Sequence, residues 1–111
     1  MLERFHVPED IAIRVSEKDM RATVEAIFRK MGMPDDDAVQ AADVLVYADI
    51  SGIESHGVSN MLRAYVAGFG SGAINPHPEP KILFEAAAVA TLDSDKGHGL
   101  VIGPQAMQLA I

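Results

Sequence analysis

The stretch GIESHGVSNMLR, residues 52–63, sets a hydroxyl beside an imidazole and follows them with a carboxamide and a guanidinium. If a helix starts at Ser55, a turn of about 100° per residue puts Asn60 about 40° to one side of His56 and Arg63 about 20° to the other. His56, Asn60 and Arg63 then share one stripe, opposite the apolar face that Val58 and Tyr65 occupy. Such a stripe can bind a carboxylate and move a proton: Arg63 or Asn60 holds the acid, and His56 donates or accepts. Free N–H groups at the helix start add donors for an anion or oxyanion. The same residues also fit a plain helix start, with Ser55 as N-cap and polar groups on the solvent face. Sequence neighbours are not in themselves a nucleophile–base pair, so spacing alone leaves both readings open.

Other chemistry-bearing residues are more scattered. The GHG turn at 97–99, near a helix start, can cradle a phosphate with backbone N–H groups, or it is a tight turn with His98 exposed; it falls well short of a dinucleotide fingerprint. His77 sits between prolines as a surface-loop residue, and His6 lies in an N-terminus expected to be mobile. Three successive acids, Asp35 to Asp37, point about 100° apart on a helix and converge poorly on one ion, so they are expected to serve the helix dipole. With no cysteine and no histidine pair at ligand spacing, no metal site is expected.

The elements that must hold these groups follow from periodicity. IAIRVS (11–16) alternates as a short strand. Ser16 opens a capping-box-like SEKD, after which Met20, Val24, Ile27, Phe28 and Met31 share one helical face and Gly32 stops the helix. A second helix, in MPDDDAVQAADVLVYADISG, carries a small-residue stripe of Ala38, Ala41, Ala42, Leu45 and Val46 and ends at Gly52. The third, from Ser55, repeats apolar residues at Val58, Met61, Leu62, Tyr65, Val66 and Phe69, and glycines 68, 70 and 72 fray its end. INPHPEP (74–80) is forced into an extended path by its prolines. KILFE and AVATLD read as strands joined by an alanine turn, SDKG as a turn, and GHGLVIGPQAMQLAI as a further helix that Gly103-Pro104 delays or kinks. The expected fold is α+β: an N-terminal strand and three-helix segment over residues 1–72, then, over 73–111, the first strands and helix of a mixed α/β domain.

Bulk properties narrow the partners. The chain has 111 residues, a net charge of −7 and 49% apolar residues, with four Phe, two Tyr and no Trp. That is one ordinary domain at most, with a core built from Val, Ile, Leu, Met and Ala. The charge argues against nucleic acid and anionic membrane surfaces, but one local arginine still suffices for a small anionic substrate. No apolar run reaches the roughly 20 residues of a membrane span, and MLERFHVPED is too charged for a secretory signal. A soluble, cytoplasmic protein is expected. The apolar, helix-competent finish at Ile111 looks cut rather than completed.

Three pieces in order, G-I-E-S-H-G-V (52–58), INP (74–76) and D-S-D-K-G-H-G (93–99), resemble the N-terminal part of the malate/L-lactate dehydrogenase family. The likeness runs from about Val15 to the last residue. This NAD(P)-dependent group includes sulfolactate and ureidoglycolate dehydrogenases and the piperideine- and pyrroline-2-carboxylate reductases. The resemblance implies a non-Rossmann cofactor domain beside a helical N-terminal segment, a homodimer, NAD or NADP as cofactor, and a small 2-hydroxy acid or its keto or imine counterpart as substrate. It implies that Ser55 and His56 form a relay whose aspartate, like most nicotinamide-binding residues, lies beyond Ile111. The family commonly has arginine four residues after the histidine, facing the substrate carboxylate. Here that position is Asn60, which supplies no charge, and Arg63 is the nearby cation that can replace it. A second reading, from a different class, is a free-standing helical interaction module that docks a partner or a second copy through Met61, Tyr65 and Phe69.

Overall fold

Helix α1 (Glu17–Lys30) begins at the expected cap. The computed structural model, which describes residues 3–111, gives Ser16 an extended backbone whose Oγ accepts the Asp19 N–H at 3.4 Å. The first two residues of the segment expected over 1–72 lie outside the described residues. At its other end the Gly32 N–H donates to Arg29 O and the Met33 N–H to Phe28 O, at 2.9 and 3.2 Å. This pairing needs a left-handed residue after the cap, and Gly32 supplies it at φ +99°.

Helix α2 (Asp35–Ile50) buries the whole expected stripe, Ala38, Ala41, Ala42, Leu45 and Val46. Small side chains let α1 approach closely, and Val24 and Phe28 fill the contact with both side chains essentially out of water. Ion pairs close the edges of this helix pair: Arg21 joins Glu17 to Asp43, and the Arg29 Nε donates to Asp35 Oδ1 at 2.7 Å. Asp35 thus meets a cation as well as the helix dipole.

Residues 11–16 are not a strand. Alternation predicts a strand only where a ladder partner exists, and none is paired with this segment among the described residues. Ile11, Ile13 and Val15 are accordingly exposed, and Arg14 pairs with Glu9 at 3.0 Å.

Helix α3 (Val58–Gly70) lays Val58, Met61, Leu62, Tyr65 and Phe69 against the core as the periodicity requires. The proline-rich stretch then leads into an antiparallel hairpin of β1 (Lys81–Ala86) and β2 (Val89–Asp93), bulged between Ile82 and Phe84. Helix α4 (Gly99–Ala110) runs through Pro104 and buries Val101 and Ile102. The architecture is α+β, with four α-helices and a two-stranded sheet among the described residues. The core crosses the boundary expected between residues 72 and 73, since Val101 joins the cluster built by α1 and α2. The hairpin stands away from it, with all of β1 exposed, and the radius of gyration of 15.7 Å exceeds the roughly 13 Å of a compact chain this long.

Candidate active site

Helix α2 ends in a second glycine-based stop: the Gly52 N–H donates to Asp49 O and the Ile53 N–H to Ala48 O, with Gly52 at φ +72°. The chain then makes one 3-10 turn, Glu54–His56, before α3. Ser55 and His56 therefore precede the helix instead of opening it. The N-cap position of α3 falls to Gly57, which has no side chain to offer. Ser55 is not the cap expected from its sequence position, and its hydroxyl is free for another partner. Its Oγ lies 2.9 Å from His56 Nδ1, a hydrogen bond between adjacent residues.

This start also breaks the helical stripe. His56 lies off the helix that carries Asn60 and Arg63, so the wheel does not relate the three. The Asn60 Nδ2 instead donates back to the Glu54 carbonyl at 2.7 Å, closing the turn from the α3 side. Arg63 is exposed and has no ion-pair partner among the described residues. His56 is exposed as well, and its Nε2 has no protein partner among those residues.

Two acids hold the turn that the sequence did not single out. Asp49 reaches from the last turn of α2, and its Oδ2 accepts the Val58 N–H at 3.0 Å. Burial pushes this carboxyl above its ordinary value, while the Val58 N–H pulls it down and nearby Glu54 pushes it up. A signal did exist: an acid in a final helical turn sits at the unfavourable end of the dipole and needs a compensating donor. Glu54 takes the N-terminal segment in hand, accepting the Val7 N–H at 2.9 Å and facing His6 Nδ1 at 3.2 Å. His6 is thereby tied to the turn, contrary to the expectation for the N-terminal segment.

His98 also departs from its expectation. Far from exposed, it is 4% accessible and sits among Phe28, Tyr65 and Phe69, stacked on Phe69 with ring centroids 5.7 Å apart. It caps α4: its Nδ1 accepts the Leu100 N–H at 3.2 Å, so the proton of the neutral ring is on Nε2, which is buried without a partner. Burial lowers its pKa from the usual histidine value. The same bond takes up the Leu100 N–H beside the GHG turn. A Cβ on Gly97 would meet Ile102 at 2.6 Å and Pro78 at 2.9 Å. INP and DSDKGHG interlock here: the Asn75 N–H donates to Lys96 O at 2.9 Å and its Nδ2 to Asp95 Oδ2 at 3.0 Å. His77 lies exposed in the connecting loop, as its flanking prolines suggest.

Helical N-terminal half, interlocked INP and DSDKGHG turns and an exposed Ser–His pair agree with one family. The malate/L-lactate dehydrogenase family profile matches residues 15–111, and the chain belongs to that family. It is 44% identical over all 111 residues to a malate dehydrogenase of Pyrococcus abyssi, covering 30% of that relative. It is also 44% identical over 85 residues to an L-sulfolactate dehydrogenase of Methanocaldococcus jannaschii, covering 77% of this chain and 24% of that one. Among solved structures, the malate dehydrogenase of Pyrococcus horikoshii superposes with a TM-score of 0.86 at 40% identity, over 95% of this chain and 30% of the other. The chain thus spans about 30% of the length of the relatives it matches.

Proposed function

We propose that these residues are the N-terminal part of an oxidoreductase that exchanges a hydride between NAD or NADP and a small 2-hydroxy acid of the malate/lactate type, or its keto or imine counterpart. The observation that carries the reading is the exposed Ser55–His56 hydrogen bond, 2.9 Å long, on a turn fixed to two helices. Ser55 holds the ring through Nδ1 and so presents Nε2 to the substrate. In the direction of reduction Nε2 donates a proton to the oxygen or nitrogen at the reduced carbon; in oxidation it takes that proton back. Ser55 and His56 are the proposed relay.

Substrate binding falls to Arg63, with Asn60 in a supporting role. The Asn60 amide is committed to the turn, whereas the Arg63 guanidinium is exposed and available for a bidentate carboxylate contact. The glycine turn at 97–99 gives little support to a phosphate cradle, since His98 takes the Leu100 N–H and Ile102 and Pro78 crowd Gly97. Only the proton and the substrate carboxylate are therefore assigned here. We take residues 1–72 as the helical segment and 73–111 as the opening of the α/β cofactor and substrate domain, in a cytoplasmic homodimer. The exposed hairpin, with Leu83 and Phe84 more than half accessible, is the surface such an assembly would cover. A docking role for Met61, Tyr65 and Phe69 gains no support, because these side chains pack on the protein's own core.

Oxidation of NADH and NADPH, followed by absorbance in the full-length enzyme with oxaloacetate, pyruvate, sulfopyruvate and a cyclic imine carboxylate, tests the reading. Turnover of at least one acid is expected. No turnover with any acid, together with no nucleotide binding, would sink it.

A further inference from the structure

The Ser55–His56 turn carries few bonds of its own: the His56 N–H donates to Ile53 O at 3.0 Å and the Gly57 N–H to Glu54 O at 3.2 Å. These set its shape but not its place. Its ends join the helices through the Ile53 N–H to Ala48 O, at 2.8 Å, and the Met61 N–H to Gly57 O, at 3.0 Å; beyond these, place comes from three side chains, Asp49, Asn60 and Glu54. The Asn60 and Glu54 bonds are exposed, where water competes for both partners. The Asp49 bond is partly buried and springs from α2, a helix that forms the core.

Gly57 makes that bond possible. Its φ of −87° suits any residue, so conformation does not demand glycine. Space does: a Cβ there would lie 1.6 Å from Asp49 Oδ1 and 2.4 Å from its Cγ. The carboxylate occupies the volume a side chain would take. At the end of α2 its charge is unfavourable, and at the start of α3 the same charge is favourable. Helix α3 itself is held by Met61, Leu62, Tyr65 and Phe69 on the core, so the cap acts chiefly on the turn that precedes it.

We propose that Asp49 is a positioning residue for the Ser55–His56 pair, its carboxylate tying the end of the turn to α2 through the space Gly57 leaves open. The proposal rests on the functional reading above. Its test does not need turnover. Long-range 1H–15N spectra of the 111-residue chain read the His56 ring, with His77 as the exposed reference and His98 as the core reference. In wild type the His56 ring-nitrogen shifts are expected to differ from those of His77. In Asp49→Ala they are expected to move onto the His77 values while His98 keeps its own. Asp49→Asn retains an oxygen acceptor for the Val58 N–H and is expected to restore the wild-type pattern. The proposal is overturned by His56 shifts that match His77 in wild type or stay unchanged in Asp49→Ala, or by failure of the Asn variant to restore them. Collapse of the His98 signals in Asp49→Ala overturns it too, since Asp49 would then serve the fold as a whole. In the active enzyme, Asp49→Ala is expected to lower kcat about tenfold with KM for the acid within about twofold of wild type. A raised KM at unchanged kcat contradicts a positioning role.

Discussion

His56 and His98 each take a hydrogen bond on Nδ1, and there the likeness ends. His56 is exposed, its partner is the hydroxyl of its neighbour, and its other nitrogen faces no protein group among the described residues. His98 is enclosed by three aromatic rings, its partner is a helix N–H, and its other nitrogen is buried with no acceptor. An imidazole in the first setting can exchange protons with a bound acid. In the second setting protonation is opposed twice, by lost hydration and by converting the Nδ1 acceptor into a donor that faces the Leu100 N–H. The difference separates the exposed imidazole proposed for proton transfer from one placed for packing.

The largest effect on stability expected from this contrast is at His98. Its replacement by alanine removes the ring between Phe28, Tyr65 and Phe69 and uncaps α4. A loss of about 3 kcal/mol is expected in urea unfolding, within the range for large core truncations. A loss under about 1 kcal/mol would show that the aromatic cluster does not depend on it. Next comes Arg63→Ala, expected to raise KM for the acid substrate about 10- to 100-fold, the worth of a charge-assisted pair, with stability within about 0.5 kcal/mol of wild type. An unchanged KM, with Asn60→Ala raising it instead, would return carboxylate binding to Asn60.

The smallest expected effect is on pH dependence. Burial lowers the folded pKa of His98 below its unfolded value, so the unfolded chain binds the proton more readily. The stability from the neutral ring is complete above about pH 6.5 and is lost as pH falls from there through the lowered folded value. Asp49, whose carboxyl is raised, has the opposite sign: its contribution is complete below the ordinary aspartate value of 3.8 and is lost as pH rises through the raised folded value. Unfolding midpoints between pH 8 and 5 should fall with acidification in wild type. In His98→Phe, which keeps an aromatic ring, that slope should flatten; an unchanged slope would assign it to another group.

The helices were legible because each carries its own evidence: apolar residues at helical spacing, a Ser16 cap, and stops at Gly32 and Gly52 that the hydrogen bonds reproduce. The hairpin was legible for similar local reasons. Residues 11–16 misled because alternation describes one strand and says nothing of a partner. Ser55 misled because it stands where a cap would stand, while the actual acceptor, Asp49, is on another helix. The depth of His98 depends on aromatic residues of α1 and α3 far away in sequence, which no local pattern joins. The Ser–His pair itself was visible; the bracing around it was not.

Parallel measurement of kcat and unfolding midpoint for His56→Asn and His98→Ala in the full-length protein probes the proposed division of labour most directly. His56→Asn should lose about 10²- to 10⁴-fold in kcat, as expected for removal of a general acid–base group, while its midpoint stays at wild type. His98→Ala should show the lowered midpoint. A His56→Asn enzyme that turns over at the wild-type rate, or that unfolds as early as His98→Ala, would contradict the assignment of His56 to proton transfer.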